Sequence, residues 1–560
     1  MQYKILLFNL FLLITSHALC QNLSLNIEGH TAQQTKIIDS IAYQKNHINY
    51  QSITNALDSL SNTLNHLGYI EHNIIDSNKI NDSTVVSVFN LKNKYSSLYI
   101  RYTNIETLNL ESLNINFNKE YIVLLFKNVQ NTLNRLNSEI ANQGLPFTAL
   151  HLENFKIEND SVKADLKISK KTSPRHIDKI IIKGYQKFPR KFINQYAQIK
   201  TGQVFNMNEI ILKTKNINSL PFANLIRDPE VLFTKDSTTL YIYVEKQKSN
   251  NFDGYLGFTT NEDTNKLEFS GYLNMLLRNN LNFGESVKLL YESDENEQKT
   301  FNFNIDMPYL FKSPIGANVD LNIFKKDSTF TTVDQSLKLY YQFSTQHKLY
   351  LGIKESQSNN LLNQNSLTTI EDYKSTFYST TYNFTKTDDI NILFPIKTYA
   401  NVNLGLGHRT YENTKEQQFE ASLDLYHTFY LNEKNSIFTR IEAAALQSET
   451  YLENELLRYG GINSIRGFEE NSILANLYSV LNIEYRFQLN PTIFVHTISD
   501  FSYLENKISN QKERLIGLGV GFAVLTKAGL LKLNYANGKT ENSPFNISNA
   551  KVHLSITTIF

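Results

Sequence analysis

The sequence has no tryptophan and a single cysteine, Cys20, among its 560 residues. One cysteine excludes an intramolecular disulfide. Beyond the N-terminal region there is no run of about 18 apolar residues, which excludes an ordinary transmembrane helix. The 55 basic and 54 acidic residues almost cancel to a net charge of +1. The composition therefore gives no indication of a nucleic-acid-binding surface.

The sequence also lacks the spacings that mark common enzyme chemistry. Its 12 histidines include no His-x-x-x-His or Glu-flanked pair of the kind that binds a metal. No glycine-rich phosphate loop follows a predicted strand, and no nucleophile elbow is present. We therefore expect no enzymatic activity, no catalytic residue, no metal and no cofactor.

Residues 1–20 have the features of an export signal peptide. A positive charge at Lys4 precedes a mainly apolar segment from Ile5 to Ile14, and Ala18-Leu19-Cys20 fits the small-x-small rule for cleavage after Cys20. The only cysteine would then leave with the signal. A lipoprotein signal is the alternative, and the bulky Leu19 argues against it.

Residues 23–249 contain a weak threefold repeat. Its turns, Asn81-Asp82-Ser83, Asn159-Asp160-Ser161 and Lys235-Asp236-Ser237, place their aspartates 78 and 76 residues apart. Asp and Ser favour turns because their side chains bond to nearby backbone groups. Each turn separates two strand-like runs, which predicts three β-hairpins. In the third unit these runs are Glu230–Thr234 and Thr239–Glu245.

Helical patterns precede the three predicted hairpins. Apolar residues recur at helical spacing in the first two units, and a third helical stretch covers 210–220. Gly68 and Gly144 would end the first two helices. The sequence predicts three small α+β domains at 21–95, 96–173 and 174–249. The helical stripes are Ile53, Ala56, Leu57, Leu60, Leu64 and Leu67 in the first unit and Val129, Leu133, Leu136 and Ile140 in the second.

From residue 250 onward the pattern changes to strict alternation of apolar and polar residues. Residues 301–306, 317–323, 481–489 and 552–560 all show it, and a period of two gives a strand one apolar and one polar face. A soluble β-sandwich would share this pattern. Charged residues in mid-strand and about 310 residues without a helical segment favour a transmembrane barrel instead, of about 16 antiparallel strands.

Several segments resemble the BamA–TamA superfamily of outer-membrane proteins. They are Ile180–Tyr185, Asn251–Phe258, Gly460–Phe468, Asn482–Phe487 and Gly529–Ala536. Members of that family carry polypeptide-transport-associated (POTRA) domains before a 16-stranded barrel, and the threefold repeat here is TamA-like. The resemblance implies a barrel at 250–560 in the outer membrane of a Gram-negative bacterium, with the three POTRA domains in the periplasm.

The same resemblance implies a function in handling proteins. The chain would insert client proteins into the outer membrane, or translocate them across it. Its partners would be the lipid bilayer, unfolded client proteins and a periplasmic bridging or accessory protein. The alternatives are a two-partner-secretion-type pore that exports one substrate, and a passive channel or anchor with periplasmic binding domains.

The most specific likeness is to the family's long loop between strands 11 and 12, which folds back into the barrel lumen. Gly460, Gly461, Arg466, Gly467 and Phe468 would form this latch. Gly467 would permit close approach, and Phe468 would pack on the inner wall. On spacing alone, the alternative is that Arg466 is a solvated loop residue.

A guanidinium inside a barrel needs a partner, because an unpaired buried charge is costly. The alternation places Glu484 and Arg486 on the lumen-facing side of strand 12, and Asp500 follows one hairpin later. We predict that Arg466 pairs with Glu484 and Asp500. Strand 13 departs from the family pattern, since Ser502 stands where a glycine is usual.

The resemblance also implies a seam where the first barrel strand meets the last. Phe252 and Gly254 would lie on the first strand and the terminal Phe560 on the last. Members of the family are thought to open this seam sideways to admit client strands. An ordinary closed barrel, fully paired at both ends, is the alternative.

Overall fold

The computed structural model describes most of the chain from residue 23 to residue 557. The predicted signal peptide, the turn centre Asp160 and the seam residue Phe560 lie outside the described residues. Within the range 23–557, the residues left out are 103–114, 119, 159–160, 170–172, 261–266, 294–297, 363–369, 389–390, 392, 413, 527–528, 542, 544 and 546–549.

The chain forms two compact units. One comprises residues 1–176 with 204–208, and the other comprises 177–203 with 209–560. None of the helices in the described part of the chain is both long and apolar enough to cross a membrane. The α-helices are Ala32–Ser40, Tyr50–Leu67, Phe126–Asn142, Lys191–Gln195 and Met207–Lys215.

Three small sheets precede residue 250, as the repeat predicts. Their orders are β2-β1-β4-β3, β6-β5-β8-β7 and β10-β11-β9. In each sheet the first strand of the unit runs parallel to the last, which also forms an antiparallel hairpin. The strands are β1 Leu23–Gly29, β2 Asn46–His47, β3 Asn73–Asn81, β4 Thr84–Asn90, β5 Ser97–Arg101, β6 Tyr121–Leu125, β7 Ala149–Glu158, β8 Ser161–Ser169, β9 Lys179–Gly184, β10 Ala223–Phe233 and β11 Thr238–Lys246.

The helix Tyr50–Leu67 shows how local sequence sets these elements. The Asn49 side chain accepts from the Ser52 backbone N–H, which caps the first turn. Gly68 ends the helix with φ +96°, a left-handed conformation that glycine adopts readily. The predicted stripe packs on the first sheet through Ile53, Leu57, Leu60 and Leu64, all of them buried. The predicted domain boundaries remain predictions.

The third hairpin begins earlier than predicted. The sequence placed its first strand at Glu230–Thr234, whereas β10 starts at Ala223. Asp228 and Pro229 lie within β10, where the β10–β11 register shifts between Arg227 and Glu230. A β-bulge of this kind absorbs a proline without ending the strand.

The barrel has 16 antiparallel strands, which confirms the prediction. They pair in chain order from first to last. The strands are β12 Asn251–Thr260, β13 Leu267–Arg278, β14 Ser286–Ser293, β15 Lys299–Met307, β16 Ile315–Lys326, β17 Phe330–Gln342, β18 His347–Asn360, β19 Tyr373–Thr387, β20 Ile396–Tyr411, β21 Thr414–Tyr430, β22 Asn435–Gln447, β25 Leu477–Asn490, β26 Ile493–Asn506, β27 Gln511–Thr526, β28 Gly529–Lys539 and β29 Lys551–Thr557.

The strands alternate as the sequence predicts. On β17, Leu337, Leu339 and Tyr341 are 49%, 53% and 45% exposed, a row of apolar side chains such as lipid would cover. On β25 the residues that alternate with the outward-facing ones are buried, including Asn482 and Glu484. The barrel therefore has an apolar outer face and a polar lumen.

The connection between β22 and β25 is longer than the other described connections between neighbouring barrel strands. Residues 448–476, here called the lumen loop, join the eleventh barrel strand to the twelfth. The loop contains a small hairpin of its own, β23 Leu457–Tyr459 and β24 Ile473–Ala475. Its position is the one predicted from the resemblance of Gly460–Phe468.

Candidate functional site

The site lies where the lumen loop crosses the inner wall formed by β25 and β26. Glu484 and Asp500 are on neighbouring strands, with Asn482 paired opposite Asp500 in the ladder. Glu484 is 7% exposed and Asp500 is 0% exposed. Two carboxylates so deeply buried need cationic partners to stay charged at acceptable cost.

Arg466 supplies the positive charge. Its Nε donates to Asp500 Oδ2 at 2.8 Å and its Nη2 donates to Asp500 Oδ1 at 2.7 Å, a bidentate pair. Its Nη1 donates to Glu484, and its backbone N–H donates to Asp500 Oδ2 at 2.9 Å. Arg466 is itself only 4% exposed. The structure thus brings together the three residues whose pairing the sequence predicted.

Arg486 completes the charge balance. Its Nη2 lies 2.7 Å from Glu484 Oε2, so Glu484 bridges two arginines. The guanidinium of Arg486 also lies 3.9 Å from the ring centroid of Phe438. This cation–π contact stabilises the positive charge where water is excluded. The four charges of Arg466, Arg486, Glu484 and Asp500 sum to zero inside the wall.

Three glycines let the loop backbone lie directly on the wall. Gly467 has φ +91°, and a Cβ there would lie 2.5 Å from the backbone N of Gly538 on β28. A Cβ at Gly517 on β27 would lie 2.2 Å from the Arg466 carbonyl oxygen. The ring of Phe468 covers Gly538. Close backbone approach therefore depends on glycine on both sides of the contact.

Gly460 and Gly461 shape the loop itself. Their φ values are +112° and +94°, and a Cβ at Gly461 would lie 1.8 Å from Glu470 Oε2. The Gly461 N–H donates to the Ile465 carbonyl at 3.1 Å. The two glycines thus form the tight turn that presents Arg466.

An apolar layer supports the loop beside the charges. Tyr459 stacks on Tyr478 with ring centroids 4.2 Å apart, and Ile465 is 0% exposed. The hydroxyls of Tyr459 and Ser502 lie 3.1 Å apart and share a hydrogen bond. Ser502, which replaces the glycine of the family pattern, therefore gives the buried Tyr459 hydroxyl a partner.

Replacing Ser502 with alanine is expected to lower the free energy of unfolding by about 1–3 kcal/mol, because the buried Tyr459 hydroxyl then loses its hydrogen-bond partner. Urea unfolding of the folded barrel would measure this loss. Ser499→Ala, on the outward face of the same strand, is the matched control. In a double-mutant cycle, Tyr459→Phe should remove much of the cost. Equal effects of Ser499→Ala and Ser502→Ala would refute the role of the hydrogen bond.

Sequence reasoning missed a second anchor of the lumen loop. Arg409 on β20 is 0% exposed. Its Nη1 pairs with Glu455 and its Nη2 with Glu416 at 2.7 Å. Nη2 also donates to Thr450 Oγ1 at 2.6 Å. Glu455 lies in a short 3-10 helix of the lumen loop, Glu453–Glu455, so strand alternation gave no signal for this pairing.

The lumen loop also touches the last barrel strand. The Gly467 N–H donates to His553 Nε2 at 3.2 Å, and Lys551 Nζ lies 2.9 Å from Glu469 Oε1. On the first strand, Phe252 is 70% exposed and Gly254 pairs with Leu273. The ladders between described residues do not join β12 to β29.

The chemistry of the site is that of a structural ion cluster. Among the described residues, no group of three or more His, Cys, Asp and Glu side chains is placed to hold a metal ion. The Arg466 cluster has its carboxylate oxygens occupied by guanidinium and backbone donors. It can hold the loop across the lumen, and it presents no free nucleophile.

Comparison with known proteins shows which family and which solved structures this chain resembles. A profile of the Omp85 superfamily domain matches residues 277–560. No curated protein sequence matches the chain. The structure of BamA from Haemophilus ducreyi lacking POTRA domains 1–3 matches 82% of this chain and 98% of its own, with 14% identity and a TM-score of 0.52. CdiB from Escherichia coli matches over 90% and 96%, with 13% identity and a TM-score of 0.50. At such identities the likeness shows a common fold.

Proposed function

The chain belongs to the Omp85 superfamily, whose domain covers its C-terminal half, and from this premise we propose that it inserts client proteins into the outer membrane or translocates them across it. Proteins of this superfamily are outer-membrane transporters and assembly factors rather than enzymes. In this proposal the POTRA-like domains lie in the periplasm and receive unfolded clients. A periplasmic bridging or accessory protein is a further proposed partner.

The observation that carries the proposal is the lumen loop, fixed across the barrel by buried charges. Arg466, Glu484 and Asp500 are all less than 10% exposed, and breaking such a pair is strongly unfavourable. A loop held in this way obstructs free diffusion through the lumen. This supports a barrel that handles proteins through a controlled path rather than a permanently open channel.

The end strands of the barrel offer that path. An unpaired strand edge is a template for another strand, and β12 and β29 are not joined by a ladder in the described residues. The last strand also contacts the loop through His553 and Lys551. We propose that client strands enter at this seam, formed by Phe252 and Gly254 on one side and the chain end at Phe560 on the other.

The small sheets supply further strand edges for extended clients. β3 is the edge of the first sheet, and all of its residues from Asn73 to Asn81 are exposed. Ile74, Ile75 and Ile80 on this edge are 42%, 49% and 67% exposed. Exposed edge strands with apolar side chains bind extended segments by adding a strand.

Depletion of the chain, followed by proteomics of the outer membrane, tests the function. General assembly predicts a loss of many barrel proteins, whereas dedicated export predicts the loss of one secreted substrate. No change would contradict both and would leave a passive channel or anchor. Complementation should use the wild-type chain and chains with two introduced cysteines. One cysteine is placed within residues 251–255 of the first barrel strand and the other within residues 551–555 of the last.

The cysteine pairs test the seam within the same experiment. The only native cysteine, Cys20, falls in the predicted signal, so the introduced pair would be the sole thiols of the mature chain. Oxidised chains should fold but fail to restore the lost proteins, and reduction should recover them. Full restoration by an oxidised, cross-linked barrel would exclude use of the seam.

A further inference from the structure

The barrel turns nearest the third small sheet carry large apolar side chains in exposed positions. Phe311, in the turn between β15 and β16, is 97% exposed. Leu281 and Phe283, in the turn between β13 and β14, are 64% and 54% exposed, and Phe343, after β17, is 57% exposed. Such residues are unfavourable in water, and grouped exposure of this kind marks an interaction surface.

The backbone around Phe311 is strained as well. Tyr309, Phe311 and Lys312 have φ values of +57°, +53° and +60°. Residues other than glycine adopt this left-handed conformation at a cost. Turns normally use Gly, Asn or Asp in such positions. A bulky aromatic side chain that is almost fully exposed is more favourable in an apolar environment than in water.

The short helix Lys191–Gln195 of the third sheet domain fixes the Phe311 turn. The Lys191 Nζ donates to the Pro308 carbonyl at 2.5 Å, and the Gln195 Nε2 donates to the Lys312 carbonyl at 2.6 Å. The ring of Phe192 meets Tyr309 edge-on, with centroids 5.0 Å apart. Tyr309 is thereby buried while Phe311 stays outside.

The same helix holds the neighbouring turn. The Lys191 Nζ lies 5.7 Å from the ring centroid of Phe283. A Cβ at Gly284 would lie 2.1 Å from Phe192 Cε2, so this turn is in direct contact with the helix. The helix and the two turns therefore form one rigid platform, from which Phe283 and Phe311 are exposed.

The outward apolar row of β17 continues into the turn that follows this strand. Phe343 extends the outward row of Leu337, Leu339 and Tyr341 on β17, and its ring lies 4.9 Å from that of Tyr341. Aromatic side chains favour the boundary between the hydrocarbon and the headgroups. We propose that Phe311, together with Leu281, Phe283 and Phe343, inserts into the phospholipid leaflet on the POTRA side. This insertion anchors the platform, and with it the third sheet domain, to the membrane.

Tryptophan fluorescence tests this proposal directly, because the native chain contains no tryptophan. Phe311→Trp makes residue 311 the only indole in the full-length protein. The protein is reconstituted in phosphatidylcholine vesicles whose acyl chains carry bromine near the headgroup. Bromine should quench the emission much more strongly than it quenches that of a water-exposed indole, as expected for an interfacial aromatic, and aqueous iodide should quench it weakly.

Two control positions provide a water-exposed and a lipid-facing reference for the quenching. Leu212→Trp, on the helix Met207–Lys215 of the same domain, is 67% exposed and should respond to iodide and not to bromine. Val520→Trp, on the outer face of β27, should be quenched most by bromine placed deeper in the chains. Phe283→Trp is a second probe of the platform and should behave like Phe311→Trp. Folding of each variant is checked by heat-modifiable gel migration.

The proposal fails if Phe311→Trp and Phe283→Trp in folded barrels respond to iodide as strongly as Leu212→Trp. It also fails if their emission is blue-shifted while bromine has no effect, since this would indicate contact with protein instead of lipid.

Discussion

Replacing Arg466 with glutamate is expected to release the lumen loop from the barrel wall. The change removes the side-chain donors to Glu484 and Asp500 and places a third carboxylate beside two buried ones. Breaking a buried ion pair costs about 3–5 kcal/mol, and the added like charge increases this cost. We therefore expect residues 460–470 to leave the barrel wall, while the anchor at Arg409 and the strand ladders persist.

Protease cleavage and hydrogen exchange of residues 460–470 would measure the release. In the wild-type chain this segment should be protected, since Ile465 and Arg466 are buried. In the Arg466→Glu chain it should be cleaved rapidly in an otherwise folded barrel. Arg514→Ala, at an exposed position of β27, is the matched control. Unchanged protection of the loop in Arg466→Glu would contradict the ion-pair account.

Gly517→Ala is expected to displace the loop by a steric route that leaves every charge in place. Its Cβ would lie 2.2 Å from the Arg466 carbonyl oxygen, and a backbone atom held by the network cannot rotate away. Overpacking of this kind costs about 1–3 kcal/mol. The loop should become accessible to protease, and the free energy of unfolding should fall.

Gly405→Ala is the matched control for Gly517→Ala. Gly405 is also a buried, lumen-facing strand glycine, and a Cβ there would lie 2.6 Å from Cγ of Glu420, whose carboxylate pairs with Lys354. The control should therefore lower the free energy of unfolding as well, but it should leave the accessibility of the lumen loop unchanged. Equal behaviour of the two variants would show that the loop does not depend on close approach at Gly517.

The predictable parts of the site rest on strand periodicity and on the resemblance to the BamA–TamA superfamily. Alternation placed Glu484 on the lumen face, and the resemblance placed Arg466 in the lumen. A buried Arg466 then requires carboxylate partners, for which Glu484 and Asp500 were the candidates. The anchor at Arg409 was missed because its partner Glu455 lies in the lumen loop, outside the alternating strands. Gly517 was missed because only the folded structure shows which wall residue the loop backbone touches.

The fold shows the same division. About 16 strands followed from the length of the alternating region, and the helix Tyr50–Leu67 followed from its apolar stripe and Gly68. The parallel pairing of β1 with β4 depends on contacts between distant residues and leaves no local mark. At β10 the predicted start at Glu230 was too late, because the strand begins at Ala223 and continues through a bulge at Asp228-Pro229.

The central claim is that client handling requires the loop to be fixed by the Arg466 cluster. The direct measurement is the rate at which vesicles containing the purified chain accelerate insertion of a urea-unfolded barrel protein, compared with empty vesicles. The test variant combines Arg466→Met with Asp500→Asn, because removing both partners of a buried ion pair preserves stability better than removing one, and Glu484 keeps Arg486 as its partner. We predict that this variant folds but accelerates insertion no more than empty vesicles do. The claim would be contradicted if the folded variant, with its loop accessible to protease, accelerated insertion as much as the wild-type chain does.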